Sequence, residues 1–368
     1  MTIIVPPPPI AWYGSSFAYY DDEPRTDEER DAAAAWARAG RLAGFSPKQF
    51  EPRPGGDGGD HGGVVLGRFL PVHDGHRYLI EYARAFAARV HVFVRVGAAD
   101  PVPFPVRRDW LTELFPDVTV VPVEDLPGAP TRDESVRHWT EQIRAHADPG
   151  YLFAGEDYGG PLAHLLGAVF MPVDRYAVRV SGTKIRADPW AWERFLPPPV
   201  RAWYVRRVCV IGPESTGKTL LSSRLAEHYG TVRVPEQAAT LPVLHAADVS
   251  RVAHAQQTAE DLLARRASRV LICDTDLLAV RLWSERLYEA APDWLRAASE
   301  TPTAELYLLT EPDQPFGGAT AERAAFHACC VAELTRLGRP YVPIRGDYHQ
   351  RLATAVEAVD ALLAQPGR

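Results

Sequence analysis

The sequence predicts an α/β protein with two doubly wound parallel-sheet domains. Three observations support this prediction. Short β-rich apolar runs alternate with helical stretches from Gly63, and a second alternation of the same kind begins near residue 207. In each of the two regions a Gly-containing loop leads from the first predicted strand into a helix. Such alternation places parallel strands in an open sheet with crossover helices on its faces. The length of 368 residues also exceeds the usual size of one hydrophobic core.

The composition is typical of a folded, water-soluble globular protein. Hydrophobic residues make up 46% of the chain and charged residues 24%, as in ordinary globular proteins. The formal net charge of −7 argues against wholesale nucleic-acid binding, for which a basic face is expected. No apolar run approaches the roughly 18 residues of a membrane span, and no signal-peptide pattern opens the chain. We therefore expect a cytoplasmic protein whose partners include neither membranes nor nucleic acid.

The cysteines favour reduced thiols in a cytoplasm over a disulfide framework. They include an adjacent pair and lack metal-ligand spacing. The four are Cys209, Cys273, Cys329 and Cys330.

Residues 1–62 are predicted to be a Pro/Gly-rich acidic extension with partial disorder. The segment contains "VPPPPI", the acidic run "DDEPRTDEERD" and the linker-like "EPRPGGDGGDHGG". Its ten acidic and six basic residues give a local net charge of −4, which does not suit a DNA-reading arm. A partner-binding role is the alternative to a plain extension.

Residues 63–190 are predicted to form the first domain and residues 207–368 the second. Candidate strands of the first are "VVLGRF", "VHVFVRV", "VTVVPV" and "YLFAG". Candidate strands of the second are "RVCVIG", "RVLICD", "AELYLL" and "RPYVPI", and its last helix runs from about residue 348 to 363. Between the domains, residues 191–206 contain three consecutive prolines and two tryptophans, which favours a stiff, packed connector.

The stretch "GRFLPVHDGH" predicts an anion-binding loop. Ligands of open parallel sheets bind at the carboxyl ends of strands. His73 and His76 lie three residues apart where the next helix starts, so their rings can point the same way. Imidazole donors and helix N-terminal amides suit a phosphate chain. A metal site is the rival explanation for two close histidines, although no third ligand has suitable spacing, and a structural role for both is the other alternative.

The stretch "VRVSGTKIRADP" offers a second set of anion-binding groups at a predicted helix start. By itself it is a weak signal, because turn-rich surface loops often look similar. The phosphate-binding candidates of the first domain are Gly67, Phe69, His73, His76, Ser181, Thr183, Lys184 and Arg186.

The stretch "GPESTGKT" matches the phosphate-binding loop (P-loop) G-x-x-x-x-G-K-[ST] between a predicted strand and a predicted helix, which is the context that the motif requires. Its amides would cradle the β-phosphate of ATP, Lys218 would bridge the β- and γ-phosphates, and Thr219 would ligate Mg²⁺. The ATP-binding candidates are Gly212, Glu214, Ser215, Thr216, Gly217, Lys218 and Thr219.

Two carboxylates follow the predicted strand "RVLICD" of the second domain. Asp274 is the candidate that reaches the metal, together with Thr219, and Asp276 is the candidate that takes a proton from an attacking hydroxyl. Capping of the following helix is the alternative role for Asp276.

The paired stretches "GRFLPVHDGH" and "SGTKIR" resemble the HxGH and SxTxxR motifs of the nucleotidylyltransferase superfamily, specifically the nicotinamide mononucleotide (NMN) adenylyltransferase half of the NadR family. "AGEDYGGPLAHLLGA" and "PFPVRRDWL" are similar to that half too, so the resemblance covers residues 63–186. It implies an HxGH, Rossmann-like domain that transfers AMP from ATP to NMN, giving NAD and pyrophosphate, with Mg²⁺ on the triphosphate. His73, His76 and Arg186 would be catalytic residues. The two histidines would bind the triphosphate, and Arg186 with Thr183 would bind its β- and γ-phosphates.

The second domain resembles the ribosylnicotinamide kinase half of NadR proteins in "GPESTGKTLLSSRLAEHYG", "CDTDLLAVRLWSERLYEAAPDWLRAASE" and "ELYLLTEPDQPF". The resemblance implies a P-loop kinase that phosphorylates nicotinamide riboside to NMN, with Lys218 and Asp274 as catalytic residues. One chain would then perform two successive ATP-dependent steps. The nucleoside-binding candidates are Arg108, Trp110, Glu236 and Asp276, and a place in the core is the alternative for Trp110.

The resemblance fails at two places in the second domain. Where the family pattern is similar to E-Y-A-R-E, this chain has "VPEQAATLP", which keeps Glu236 and lacks the tyrosine and arginine. After "LLTEPDQPF" the D-G-x-R segment of a lid over the phosphates is missing, and Arg323 is a candidate substitute at a different place. Because a cation on the transferring phosphoryl group can be worth about 10³-fold in rate, a working kinase and a nucleotide sensor without turnover both stay open.

A nucleotidylyltransferase for another acceptor is a third alternative. The oligomeric state is not encoded in these patterns, which are compatible with a homo-oligomer.

Overall fold

The computed structural model describes residues 62–128, 130–174, 177–241, 245–313 and 320–365. The predicted extension over residues 1–62 lies outside these ranges except for its last residue. The chain divides between Pro197 and Pro198 into two compact units. This division falls within the segment 191–206 that the sequence predicts as a connector.

The first domain is built on a five-stranded parallel sheet of order β3-β2-β1-β4-β5. The chain builds outward from the central strand β1 first to one side and then to the other, which confirms the doubly wound prediction. The strand β5 is an addition to the predicted strands. The elements are β1 (Gly62–Gly67), α1 (Asp74–Phe86), β2 (Val90–Val96), α2 (Phe104–Leu114), β3 (Thr119–Glu124), α3 (Arg132–Arg144), β4 (Pro149–Ala154), α4 (Gly159–Leu166), β5 (Val169–Pro172) and α5 (Gly182–Ala187).

The core of the first domain lies on both faces of β1. Val64, Val65 and Leu66 are completely or almost completely buried in succession, because a central parallel strand is covered by helices on both sides. Gly63 precedes them, and a Cβ atom there would lie 2.8 Å from a ring carbon of Phe153. The strand therefore has room for no side chain at that position.

The second domain has a separate five-stranded parallel sheet of order β10-β9-β6-β8-β7. The four predicted strands and the last predicted helix are present, and β7, of two residues, is an addition. The elements are α6 (Pro198–Tyr204), β6 (Arg206–Ile211), α7 (Lys218–Tyr229), β7 (Arg233–Val234), a 3₁₀ turn (Gln237–Ala239), α8 (Asp248–Ala264), β8 (Val270–Asp274), α9 (Leu277–Tyr288), α10 (Asp293–Glu300), β9 (Leu306–Thr310), α11 (Thr320–Arg336), β10 (Tyr341–Ile344) and α12 (Tyr348–Leu363).

The central strands of the second sheet carry two buried cysteines. Cys209 on β6 and Cys273 on β8 are register partners. Burial raises the pKa of each thiol well above its ordinary value, so neither is a ready nucleophile. All four cysteines of the chain are free thiols.

No helix in the described part of the chain combines the length and the apolar character needed to cross a bilayer.

The neighbouring glycines of β1 offer a matched test of the packing. We expect Gly63→Ala to lower the free energy of unfolding of the first domain by about 1–3 kcal/mol, because the added methyl group overpacks the core against Phe153. Gly62→Ala is the control, since a Cβ there would meet only the Arg89 carbonyl oxygen at 3.8 Å. Urea unfolding followed by tryptophan fluorescence measures both variants, and equal stability of the two would contradict this packing.

Candidate active sites

His73 begins helix α1 of the first domain. It is the N-cap, and its Nδ1 accepts a hydrogen bond from the His76 backbone N–H at 3.3 Å. With Nδ1 as acceptor, the neutral imidazole of His73 carries its proton on Nε2, which is thus a donor. The two rings stack, with centroids 3.7 Å apart and planes 18° from parallel. The structure therefore brings both predicted histidines together at the carboxyl end of β1.

The loop between β1 and α1 has an unusual backbone. Phe69 has a φ of +54°, which is rare for a bulky residue and costs free energy that surrounding contacts must supply. Its buried ring lies against His76, with centroids 4.8 Å apart. The Phe69 ring thus packs against the His76 ring and restricts its orientation.

The predicted second motif lies beside the first. Ser181 caps the short helix α5 by accepting from the Lys184 backbone N–H. Arg186, on that helix, donates to the backbone oxygen of Leu70 and to the Thr183 hydroxyl at 3.4 Å. Because Leu70 lies in the loop that leads to His73, the two motifs form one hydrogen-bonded site with its cations and hydroxyls in one place.

Arg107 is a buried support of this site that the sequence does not single out. Its guanidinium, 0% exposed, donates to the backbone oxygen of Arg68 at 2.7 Å and to that of Arg95 at 2.9 Å. It also pairs with the Asp100 carboxylate at 2.9 Å. Arg107 therefore joins the ends of β1 and β2 and sets the point from which the histidine loop departs.

A cluster of charged and aromatic side chains at the ends of β2 and β3 is a second feature that the sequence does not single out. The Asp125 carboxylate accepts from Arg68 at 2.7 Å, from Arg95 at 2.9 Å and from the indole N–H of Trp139 at 3.1 Å. The Arg95 guanidinium lies 4.1 Å from the centre of the Trp139 ring. Cations beside a planar ring suit a ligand that has both phosphate and an aromatic base. The position of Arg95 and Asp125 at strand ends is the sequence signal that could have indicated them.

The two nucleoside candidates on α2 have different surroundings. Arg108 is on the exposed face, where it pairs with its neighbour Asp109 at 2.9 Å. Trp110 is 5% exposed and shares the buried face of the helix with Leu111. Burial agrees with the core alternative for Trp110, and nucleoside contact stays a prediction for both residues.

The P-loop of the second domain has a conformation that requires glycine. Gly212 has a φ of +145°, and a Cβ atom there would lie 2.3 Å from the Thr310 hydroxyl. Gly217, with a φ of +82°, precedes the first residue of α7. The Lys218 ammonium donates to the Pro213 backbone oxygen at 2.9 Å, so it curls over the loop. The ammonium therefore lies over the same loop whose backbone N–H groups are expected to bind phosphate.

Arg351 on α12 stabilises the backbone of the P-loop, and the sequence does not single it out. Its buried guanidinium donates to the backbone oxygens of Thr216 at 2.9 Å, Glu311 at 3.0 Å and Gly346 at 2.8 Å, and it pairs with Asp313. One side chain thus joins the P-loop, the end of β9 and the turn before α12.

Asp274 is completely buried at the end of β8. One oxygen accepts from Arg233 at 2.9 Å, and the other, Oδ1, has no hydrogen-bond partner in the structure. An uncompensated buried carboxylate oxygen is costly unless a ligand completes it. This fits Mg²⁺, which typically takes one or two protein ligands and completes its shell with phosphate and water. No cluster of three or more His, Cys, Asp or Glu that could hold a metal occurs in the described residues.

Glu236 lies within electrostatic reach of the P-loop. Burial raises the pKa of its carboxyl, the nearby Asp274 and Glu214 raise it further, and Lys218 opposes the shift. Asp276 has a different place: its oxygens accept from the Ala279 backbone N–H at 3.0 Å and from the Tyr307 hydroxyl at 2.6 Å. The capping alternative for Asp276 is therefore the arrangement found.

Arg323 on α11 reaches the P-loop. Its guanidinium donates to the Ser215 backbone oxygen at 3.3 Å. The segment 314–319, where the family pattern has the lid, lies outside the described residues. A cation is nevertheless present at the rim of the phosphate concavity.

These features define a class: a two-domain nucleotide-binding protein with a doubly wound HxGH domain and a P-loop domain. A model of the AAA domain family matches residues 207–351. The NAD biosynthesis/regulator protein NadR of Salmonella typhimurium strain LT2, described as trifunctional, is 24% identical over 346 residues, with 83% of this chain and 84% of that protein covered. The Escherichia coli K12 protein of the same description is 22% identical over 342 residues, with 82% and 83% covered. The chain belongs to the NadR-type family.

Three further matches concern the first domain and the fold. A nicotinamide-nucleotide adenylyltransferase of Methanospirillum hungatei JF-1 is 30% identical over 153 residues, covering 37% of this chain and 83% of that protein. A crystal structure of NadR in complex with NAD and AMP-PNP has a TM-score of 0.66 at 22% identity, covering 83% of this chain and 97% of that one. A NadR structure with NR has a TM-score of 0.67 at the same identity and coverage.

Glu260 on α8 gives the second domain a pH-dependent stability. Burial raises the pKa of its carboxyl from 4.5 to about 8, and Asp276 adds to the shift. The folded state therefore holds a proton that the unfolded chain has lost, so stability decreases as the pH rises from about 4.5 to about 8.

We expect Glu260→Gln, which replaces a protonated carboxyl by a neutral amide, to unfold in urea like the parent near pH 4.5. At pH 8 the variant should be more stable than the parent by on the order of a few kcal/mol. Glu322→Gln, at an exposed position of α11, is the control. A stability difference between Glu260→Gln and the parent that does not change with pH would show that the carboxyl ionises normally.

Proposed function

We propose that this chain makes NAD from nicotinamide riboside in two ATP-dependent steps. The second domain phosphorylates nicotinamide riboside to NMN, and the first transfers AMP from a second ATP to that NMN. The observation that carries the proposal is that one chain has two loops at strand ends whose groups suit a phosphate chain, one with the stacked His73 and His76 and one with Lys218. Membership in the NadR-type family and similarity to a nicotinamide-nucleotide adenylyltransferase support the same two reactions.

In the first domain an NMN phosphate oxygen attacks the α-phosphorus of ATP, the bond to the β-phosphate oxygen breaks, and pyrophosphate leaves. His73 and His76 bind the triphosphate through imidazole donors, and Arg186 with Thr183 binds the leaving pyrophosphate. The site lowers the barrier by holding two anions in line and by matching the charge that grows on the leaving group.

Arg107 and the Asp125 cluster complete this site. Arg107 fixes the backbone at the start of the histidine loop, so the donors that it carries are in place before ATP arrives. Arg68 and Arg95 present two cations near the start of that loop, and the buried ring of Trp139 supports Arg95. We assign this cluster to the nucleotide substrates.

In the second domain the ribose hydroxyl of nicotinamide riboside attacks the γ-phosphorus, ADP leaves, and the hydroxyl proton passes to a carboxylate. Lys218 and the P-loop amides hold the triphosphate. Thr219 and the buried Oδ1 of Asp274 would hold Mg²⁺, which neutralises charge on the phosphates when bound. Glu236 is the proton acceptor that we favour, because burial raises its pKa while Asp276 is engaged as a cap.

Arg323 favours a working kinase over a sensor. Its contact with Ser215 brings a guanidinium to the rim of the P-loop, where such a cation stabilises the charge of the transferring phosphoryl group. We propose that it does the work of the missing lid arginine. A cytoplasmic location belongs to the same proposal and is supported by the free thiols.

The two sites can be separated by substitution. We expect Lys218→Ala to abolish NMN formation from nicotinamide riboside, by about 10³-fold or more, and to leave NAD formation from NMN within about twofold. His76→Ala should do the reverse. Product analysis with Mg-ATP and each substrate measures both, and a parent protein that binds ATP but makes no NMN would replace the kinase by a nucleotide sensor.

Arg107 provides a test of the support behind the first site. Arg107→Lys keeps the charge but loses the fork that reaches three acceptors, so kcat/KM for NAD formation from NMN should fall about 10- to 100-fold. Arg84→Lys is the matched control, since Arg84 pairs with Asp117 at the surface. Parent-like kinetics of the Arg107→Lys enzyme would refute the positioning role.

A further inference from the structure

A completely buried glutamine lies between two loops of the kinase domain. Gln256 on α8 is 0% exposed. Its Oε1 accepts from the Gln237 backbone N–H at 3.2 Å, and its Nε2 donates to the Thr275 backbone oxygen at 3.1 Å and to a Glu260 oxygen at 3.2 Å. A buried amide with every bond made is rigid, because any rotation leaves polar groups unpaired.

The two backbones that Gln256 joins carry the acidic groups of the proposed reaction. Gln237 directly follows Glu236, and Thr275 directly follows Asp274. Thr275 is held with a φ of +69°, a conformation that a β-branched residue adopts only where its surroundings enforce it. The bond from Gln256 is one of the contacts that enforce it.

The sheet itself does not set the distance between these acidic groups. Strand β7 has only two residues, and its pairing with β8 stops at Val234 opposite Cys273, before either carboxylate. The Arg233 side chain contacts Asp274, but Arg233 precedes Glu236 in the chain and leaves the loop after β7 unfixed. In the residues that the structure describes, Gln256 is the side chain that bonds to both backbones.

The orientation of the Gln256 amide is fixed by chemistry. Its Nε2 faces two acceptor oxygens, and its Oε1 faces one donor. Turning the amide over would place Oε1 against the Thr275 carbonyl oxygen and Nε2 against the Gln237 N–H, so both bonds to the backbone would be lost. The Gln256 side chain with its three hydrogen bonds, which we call the brace, therefore has one orientation.

We propose that Gln256 is a positioning residue for the nucleoside acceptor of the kinase: it fixes the gap between the loop that begins at Glu236 and the end of β8 at Asp274. The ATP side of the domain is held separately, by local bonds within the P-loop and by Arg351. Asp274, the proposed Mg²⁺ ligand, is also held by the pairing of β8 with β6 and by Arg233. Loss of Gln256 should therefore release the loop at Glu236, affect the acceptor and spare ATP. The inference rests on the kinase activity proposed above.

The kinetic test compares Gln256→Leu with Gln257→Leu in the full chain. Gln257 is the next residue on α8 and is exposed, so it controls for the same change on the same helix. For Gln256→Leu we expect KM for nicotinamide riboside to rise about 10-fold or more, since small misplacements have large effects, while KM for ATP stays within about twofold. The unchanged KM for ATP reports that the kinase domain is folded, and NAD formation from NMN by the separate first domain should not change. Equal rises in both KM values, or none, would overturn the proposal.

A second measurement decides the matter without turnover. Hydrogen exchange of peptides that span residues 236–241, without substrates, should be about 10-fold faster in Gln256→Leu than in the parent and unchanged in Gln257→Leu, because the Gln237 amide loses its acceptor. Unchanged exchange would refute the brace even if the parent is an active kinase. If the parent makes no NMN but Gln256→Leu still exchanges faster than the parent, the kinase activity is refuted and the bond from Gln256 to the Gln237 loop is supported.

Discussion

Both sites depend on one constraint, which is that a loop binding phosphate must turn its backbone N–H groups toward the ligand. In a parallel sheet such loops lie at the carboxyl ends of strands, where a helix begins with unpaired N–H groups. The backbone that this requires is strained: Phe69 and Ser215, in the two phosphate-binding loops, have positive φ although neither is glycine. Strain at these two positions is the local cost of presenting donors to a substrate.

Turning N–H groups outward turns carbonyl oxygens inward, and these need donors too. Each domain meets this need with a buried arginine from a distant helix. Arg107 binds the carbonyls at the ends of β1 and β2, and Arg351 binds those of the P-loop, of β9 and of the turn before α12. Arg186, which donates to the Leu70 carbonyl oxygen, and Lys218, which donates to that of Pro213, add to the same pattern. The two domains thus solve one problem in one way without sharing a sequence motif for it.

This pattern explains what the sequence could predict. The alternating strands and helices, the histidine pair and the P-loop are local signals, because their spacing along the chain already determines their spacing in space. The strands β5 and β7 are too short for a periodic signal. Arg107, Arg351 and Gln256 gave none, because most of their partners are backbone atoms, which carry no side-chain signature. Trp110 illustrates the remaining difficulty, since an aromatic residue near a site has the same pattern whether it packs in the core or stacks on a base.

The difference between side-chain partners and backbone partners also explains how this chain can lack part of the family's sequence pattern. The P-loop is closed by bonds among its own residues, such as Thr216 to Pro213, so its side chains cannot change independently. The loop after Glu236 is held differently, because Gln256 binds the backbone N–H of residue 237, a group that every residue except proline supplies. Glutamine can therefore stand where the family pattern has tyrosine without releasing Glu236. On this argument the loss of the E-Y-A-R-E pattern changes which side chains line the acceptor pocket, and it leaves the position of the carboxylates to the brace on α8.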